Sequence, residues 1–91
     1  MDEIFQALAD PTRRKILQML KRSDLPAGRI AEAFEVSRPA ISHHLAVLKR
    51  AGLAQQRRQG QQLIYSLRHD GILSACHAFL SRLCVGSKKG G

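Results

Sequence analysis

The chain has 91 residues, with fifteen Lys and Arg against seven Asp and Glu and a formal net charge of +8. The length fits one small domain and is too short for two independent cores. The charge points to an anionic partner, nucleic acid first, and decides nothing about fold. An apolar fraction of 44% is too high for a disordered basic tail. No stretch approaches the roughly 18 apolar residues that span a bilayer. Met1-Asp2-Glu3 is acidic where a signal peptide would be basic. Two cysteines make no disulfide framework, so the reducing cytoplasm is the expected compartment. A chain this small buries only about 60–65% of its unfolded surface, which makes a dimer a natural expectation.

In chain order, Ile4, Phe5 and Leu8 fall at helical spacing behind Asp2 and Glu3, and predict a short helix to about Ala9. Asp10 is a good N-cap and Pro11 suits a first helical position, so a second helix starts there. It runs to about Arg22 and buries Ile16, Leu17 and Leu20. Ser23-Asp24-Leu25-Pro26 breaks the chain, with Ser23 or Asp24 able to cap a third helix over about Pro26–Phe34. That helix buries Ala27, Ile30, Ala31 and Phe34. After a three-residue turn, Ser37 caps a fourth helix with core positions Ile41, Leu45 and Leu48, ending near a left-handed Gly52. Two helices joined by so short a turn make a helix-turn-helix.

Beyond Gly52 the period changes to two. Leu63, Tyr65 and Leu67 alternate in a strand, Leu53–Arg58 is its partner, and Gln59-Gly60 is the hairpin turn. A hairpin directly after a helix-turn-helix is a wing. His69-Asp70-Gly71 opens a last helix with the apolar stripe Ile72, Cys76, Phe79, Leu80 and Leu83. One stripe on a peripheral helix argues for a partner subunit. The expected architecture is mainly α with a small β-hairpin, in the order α-α-α-α-β-β-α. The folded domain spans 1–85, and 86–91 is expected to be a disordered tail.

The seven acids are Asp2, Glu3, Asp10, Asp24, Glu32, Glu35 and Asp70, and none lies between Val36 and His69. That span holds Arg38, Lys49, Arg50, Arg57, Arg58 and Arg68, with His43 and His44. Phosphate neutralisation by Lys and Arg supplies affinity for nucleic acid, and nearby carboxylates oppose it. The core stripe of the fourth helix turns Arg38, Ser42 and His43 outward, with Ser37 and Pro39 at the same end. This is the part of a recognition helix that enters the major groove. Arg38 is suited to a bidentate contact with guanine. His44 borders the core and is expected to make a structural hydrogen bond. Arg57, Arg58, Gln59 and Gln61 bracket the wing turn, where they suit backbone or minor-groove contact. Arg13 and Arg14 sit at the positive end of a helix, a misfit that either pairing with an acid such as Asp10 or phosphate contact would explain, with pairing the favoured reading.

Asp10 to Leu17, Ser37 to Leu45, Leu48 to Leu53 and Gly60 to Leu67 closely resemble the ArsR/SmtB family of bacterial winged-helix repressors. The resemblance covers about Met1–Leu83, and within the family it is nearest to an autorepressor branch without a known metal site. It implies a homodimer that binds a double-stranded DNA operator and represses transcription. The family's interface is built from the first and last helices, here Ile4, Phe5, Leu8, Ile72, Cys76, Phe79, Leu80 and Leu83. It also implies DNA contacts at the positions of Ser42 and His43. An inducer or partner protein is compatible with the family pattern. The family's metal sites use cysteines in the third helix or paired Asp, His and Glu in the last, and neither set is present, so no metal or cofactor is expected.

Cys76 and Cys84 lie about 12 Å apart along a helix and cannot bridge within it. Cys76 is expected to be a small buried hydrophobe. The alternative within the family is a redox- or metal-responsive repressor that uses Cys76, Cys84 and His77 across a dimer. An enzyme fails on inventory, for there is no phosphate loop, metal-spaced triad or clustered carboxylate pair. A winged helix used for protein contact is the competing class, and a basic face without acids weighs against it.

Overall fold

The computed structural model describes residues 2–87, five helices and three short strands. Helix α1 covers Asp2–Ala9, α2 Pro11–Arg22, α3 Ala27–Glu32, α4 Arg38–Arg50 and α5 His69–Ser87. Strands β1 (Leu25–Pro26), β2 (Ala54–Gln59) and β3 (Gln62–Leu67) form one antiparallel sheet in the order β1-β3-β2.

The core is built around α4. Its Ile41, Leu45 and Leu48 join Ile16 from α2, Ile30 from α3 and Leu53 as the six largest fully buried side chains. Burial of side chains of this size contributes about 1.5–3 kcal/mol each. Local signals set the helix ends. Asp10 accepts from the Arg13 amide at 3.0 Å, and Ser37 caps α4 through the Ala40 amide at 3.2 Å. Gly52 and Gly60 take positive φ, 80° and 64°, where the α4–β2 connection and the wing turn require it.

Two arginines join α1 to α2. The last carbonyls of a helix have no partner within it and carry its negative end. Arg13 donates from Nη2 to the Gln6 carbonyl at 2.8 Å and from Nε to that of Ala7 at 2.9 Å. Arg14 donates from Nη1 to the Leu8 carbonyl at 2.7 Å. The cost of cations at the start of α2 is thus offset at the end of α1. Both guanidinium groups go to α1 carbonyls, where pairing with Asp10 had been expected.

The third strand was not expected. Leu25 pairs with Tyr65 and Pro26 with Ile64, so the residues assigned to the start of the third helix are extended instead. Helix α3 is therefore shorter, and its N-cap Pro26 offers no side-chain hydrogen bond. The wing also shifts by one residue. Gln59 pairs with Gln62, which leaves Gly60-Gln61 as the two-residue loop. A glycine first in such a loop suits the turn whose twist matches the strands.

Helix α5 begins against the α4–β2 connection, where a Cβ on Gly71 would run into the Gly52 carbonyl. It continues through Gly86 to Ser87, and residues 88–91 of the expected tail lie outside the described residues. Of the residues assigned to a dimer contact, Ile4, Leu8 and Ile72 pack partly against the chain's own core. Phe5, Cys76, Phe79, Leu80 and Leu83 are exposed. Cys76 is therefore not buried within the chain. The side chain of Cys84 lies outside the described residues. Leu73, absent from the expected stripe, is the most exposed large apolar residue described, at 69%.

The Arg13 amide, with help from the Arg13 charge and the Thr12 amide, holds the Asp10 carboxyl below the usual carboxylate range, against an opposing effect of burial. A depressed folded-state pKa stabilises above the unfolded value and is lost as pH falls through the folded one. Asp10→Ala is expected to lower stability by about 1 kcal/mol at pH 7. In urea titrations that gap should begin to narrow as pH falls past the ordinary aspartate value of about 4, and close only below it, as the folded-state carboxyl itself protonates.

Candidate nucleic-acid interface

The face of α4 opposite its core stripe carries Pro39, Ser42, His43, Ala46 and Arg50, all exposed. Helix α4 contains no carboxylate, and Lys49 and Arg50 occupy its last turn. Ser37 is exposed, and its hydroxyl oxygen serves as the cap. Arg38 is exposed, and its guanidinium lies 3.7 Å from where a Cβ on Gly28 would stand. It lines a groove of about 580 Å³ between α3, the start of α4 and the wing, together with Gly28, Arg29, Glu32, Gln61 and Gln62. The fold thus brings Arg38 and Gln61 to one groove. Arg29 and Gln62 share it, although sequence spacing gave no sign of them. Arg29 is held by Glu32 at 3.7 Å, one helical turn away.

The wing residues divide. All of β2 beyond Ala54 is exposed, so neither of its faces is covered there. Successive side chains alternate, which sends Arg57 and Arg58 to opposite faces. Arg57 donates from Nη1 to Asp24 Oδ2 at 2.9 Å. Among the described residues Arg58 makes no ion pair, and Gln59 and Gln61 are exposed at the tip. Arg68 is also engaged, with Asp70 at 2.9 Å. The hydrogen bond to Arg68 is the main reason the Asp70 carboxyl lies below its ordinary value.

A span free of acids in sequence is therefore not free of them in space. Asp24 precedes it and Asp70 follows it, and each neutralises one of its arginines. Arg38, Lys49, Arg50 and Arg58 remain without an ion pair among the described residues.

His44 faces away from this surface. Its Nδ1 lies 3.1 Å from Arg13 Nη1 and 4.0 Å from Asp10 Oδ2, and the residue is half-buried. His43 stands beside it, exposed, with ring centres 5.9 Å apart. Adjacent histidines thus have different surroundings, one among polar groups of the protein and one in solvent. Among the described residues, no three His, Cys, Asp or Glu side chains come together to hold a metal ion. Nor is any described helix long and apolar enough to cross a membrane.

A short helix, a turn, a second helix with a basic outer face and a hairpin packed behind them define a winged helix-turn-helix. Residues 10–56 match the family model described as bacterial regulatory protein, arsR family. The transcriptional repressor SdpR of Bacillus subtilis is 54% identical over 67 residues, 74% of each chain. A solved ArsR-like transcriptional regulator from Rhodococcus sp. RHA1 superposes with a TM-score of 0.82 at 32% identity, over 93% of this chain and 79% of that one. The homodimeric winged helix-turn-helix DNA-binding domain of Mb0332 from Mycobacterium bovis gives 0.72 at 26%, over 91% and 81%. The chain belongs to the ArsR family of bacterial transcriptional regulators.

The Arg57–Asp24 pair is about half exposed at both ends, at 52% and 46%. Such pairs contribute about 0–1 kcal/mol, so Asp24→Asn should barely change unfolding by urea. The same substitution frees a cation on the wing. The slope of log affinity for random duplex against log salt should steepen by about 0.9, one phosphate contact.

Proposed function

We propose that two copies of this chain form a dimer that binds an inverted-repeat operator in double-stranded DNA and represses transcription from it. The observation that carries this reading is the division of α4. One face supplies half of the six largest fully buried side chains, and the other presents Pro39, Ser42 and His43 to solvent with no carboxylate on the helix. A helix so anchored enters a major groove without rearranging its core, leading with its N-terminal half. Arg38 at that end suits guanine O6 and N7, and Ser42 and His43 are short enough to let the backbone approach base edges. Arg58, Gln59 and Gln61 on the wing suit the flanking phosphates or minor groove, with Arg57 in reserve behind Asp24. The protein then works where the DNA is, in the cytoplasm.

The dimer rests on surface. The chain exposes 6136 Å², against about 5,300 Å² for a compact monomer of its mass. Its radius of gyration is 15.3 Å, against about 12 Å expected for this length. On helix α5, Leu73, Leu80 and Leu83 are 69%, 54% and 57% exposed. Beside them Phe5 of α1 packs edge-on to Phe79 at 5.0 Å, which joins the outer helices into one apolar surface. A groove at the start of α5 is lined by Leu17, Leu67, Ile72 and Leu73, with Gln18, Lys21 and His69 beside them. The homodimeric state of the Mycobacterium bovis relative supports a homodimer here.

Selection of bound fragments from genomic DNA tests the proposal, and an inverted repeat with half-sites about one helical turn apart is the expected product. On that operator Arg38→Ala and His43→Ala should each lose about 1–3 kcal/mol of discrimination against random duplex. If both leave the preference unchanged, α4 does not read the sequence. Leu80→Asp should convert the dimer to monomer in sedimentation and weaken operator binding with it, because it places a charge in the apolar surface.

A further inference from the structure

Arg13 does more than close α1. Its one planar guanidinium donates to the Gln6 carbonyl at 2.8 Å, to the Ala7 carbonyl at 2.9 Å and to His44 Nδ1 at 3.1 Å. The first two acceptors end the proposed dimer helix. The third stands on the proposed reading helix. Arg13 itself belongs to α2, whose start is fixed by Asp10 through the Arg13 amide at 3.0 Å. Three helices thus meet at one residue, within a half-buried node.

We propose that Arg13 and His44 are positioning residues for DNA recognition, coupling the orientation of α4 to α1 and so to the partner subunit. Arginine is always protonated, so each of its nitrogens in this node is a donor. His44 Nδ1 must then accept, which places the ring hydrogen on Nε2. A lysine at position 13 has three donors on one nitrogen and cannot span acceptors arranged around a planar fork. The node joins His44 of α4 to the last carbonyls of α1. Neither Arg13 nor His44 needs to touch DNA to act. Without the bond to His44, α4 keeps its core stripe and loses its polar tie to α1.

This inference rests on the proposed dimeric reader, and two experiments separate their failures. The first needs no DNA. Nitrogen-15 spectra of the wild-type protein should show His44 Nδ1 unprotonated and Nε2 carrying the hydrogen. A hydrogen on Nδ1 would overturn the proposal. The second compares a single half-site with the paired operator, using His44→Ala, His44→Asn and Arg13→Lys, each first confirmed as folded and dimeric. Asparagine places an acceptor oxygen near the position of Nδ1. His44→Ala and Arg13→Lys should lose about tenfold affinity for the paired site while keeping that for the half-site, and His44→Asn should recover most of the loss. Equal losses on both sites, or alanine and asparagine behaving alike, would show a merely structural role. If the wild type does not prefer paired half-sites, the dimeric-reader proposal falls and this one with it. If that preference is present but indifferent to all three variants, only this inference falls.

Discussion

Everything in this small fold depends on which way α4 faces. Ile41, Leu45 and Leu48 lie at 0–2% exposure and meet the core residues of α2, α3 and the start of the wing. A turn of about 100° around the helix axis, one residue in register, would bring Ser42 and Lys49, or in the other sense His44, into a core that buries no charged side chain among the described residues. Burying such a group unpaired costs about 1–3 kcal/mol from mutational data, on top of the apolar burial lost. The packing that stabilises the domain therefore also fixes which side chains are offered to a groove. Stability and recognition use opposite faces of one helix, so substitutions on the outer face can change specificity with little effect on folding.

The electrostatics of that outer face are narrower than composition implies. A net charge of +8 and a stretch without acids describe the chain and not its surface. Folding brings Asp24 to Arg57 across 33 residues of sequence, and Asp70 to Arg68 across two. Among the described residues of that stretch, one cation at the start of α4, two at its end and one on the wing make no ion pair. Four such cations on α4 and the wing suit contact with phosphates. The pairing of Arg57 also ties the wing to the segment before β1.

Most of the fold was legible because its signals are local. Asp10 and Ser37 cap helices three residues away, Gly52 and Gly60 mark backbone that other residues resist, and the periods of 3.6 and 2 separate α4 from the wing. What escaped was contact over distance. Strand β1 is two residues long and exists only because β3 lies beside it, so Leu25-Pro26 carries no strand pattern of its own. The guanidinium partners of Arg13 were missed because backbone carbonyls are not visible in a sequence as acids are. Gly71 and Leu73 depend on where α5 docks, which no spacing reveals. Of the candidate DNA-contact residues, those on α4 followed from helical periodicity. For the wing, alternation located the hairpin but could not show that one of its two arginines is held by an acid.

The size of the domain links these features. The compact body already surrounds the core with α1 to α4 and the sheet, and Ile72 is the large apolar residue of α5 that packs against it. A helix of 19 residues is about 28 Å long, and it meets its own chain through Ile72 and Phe79 while Leu73, Leu80 and Leu83 stay exposed. Its Phe79 turns toward Phe5, and α1 is in turn fastened by Arg13 and Arg14. A subunit covering this surface therefore acts on α1 as well as α5. Because the α1 terminus and α4 share one guanidinium, a shift of α1 by a fraction of an ångström must either stretch the bond to His44 or carry α4 along. Hydrogen bonds weaken steeply with distance and angle, and the well-packed core resists gradual deformation. The geometry that holds α4 is thus set in part at the outer helices, far from the side chains proposed to meet DNA.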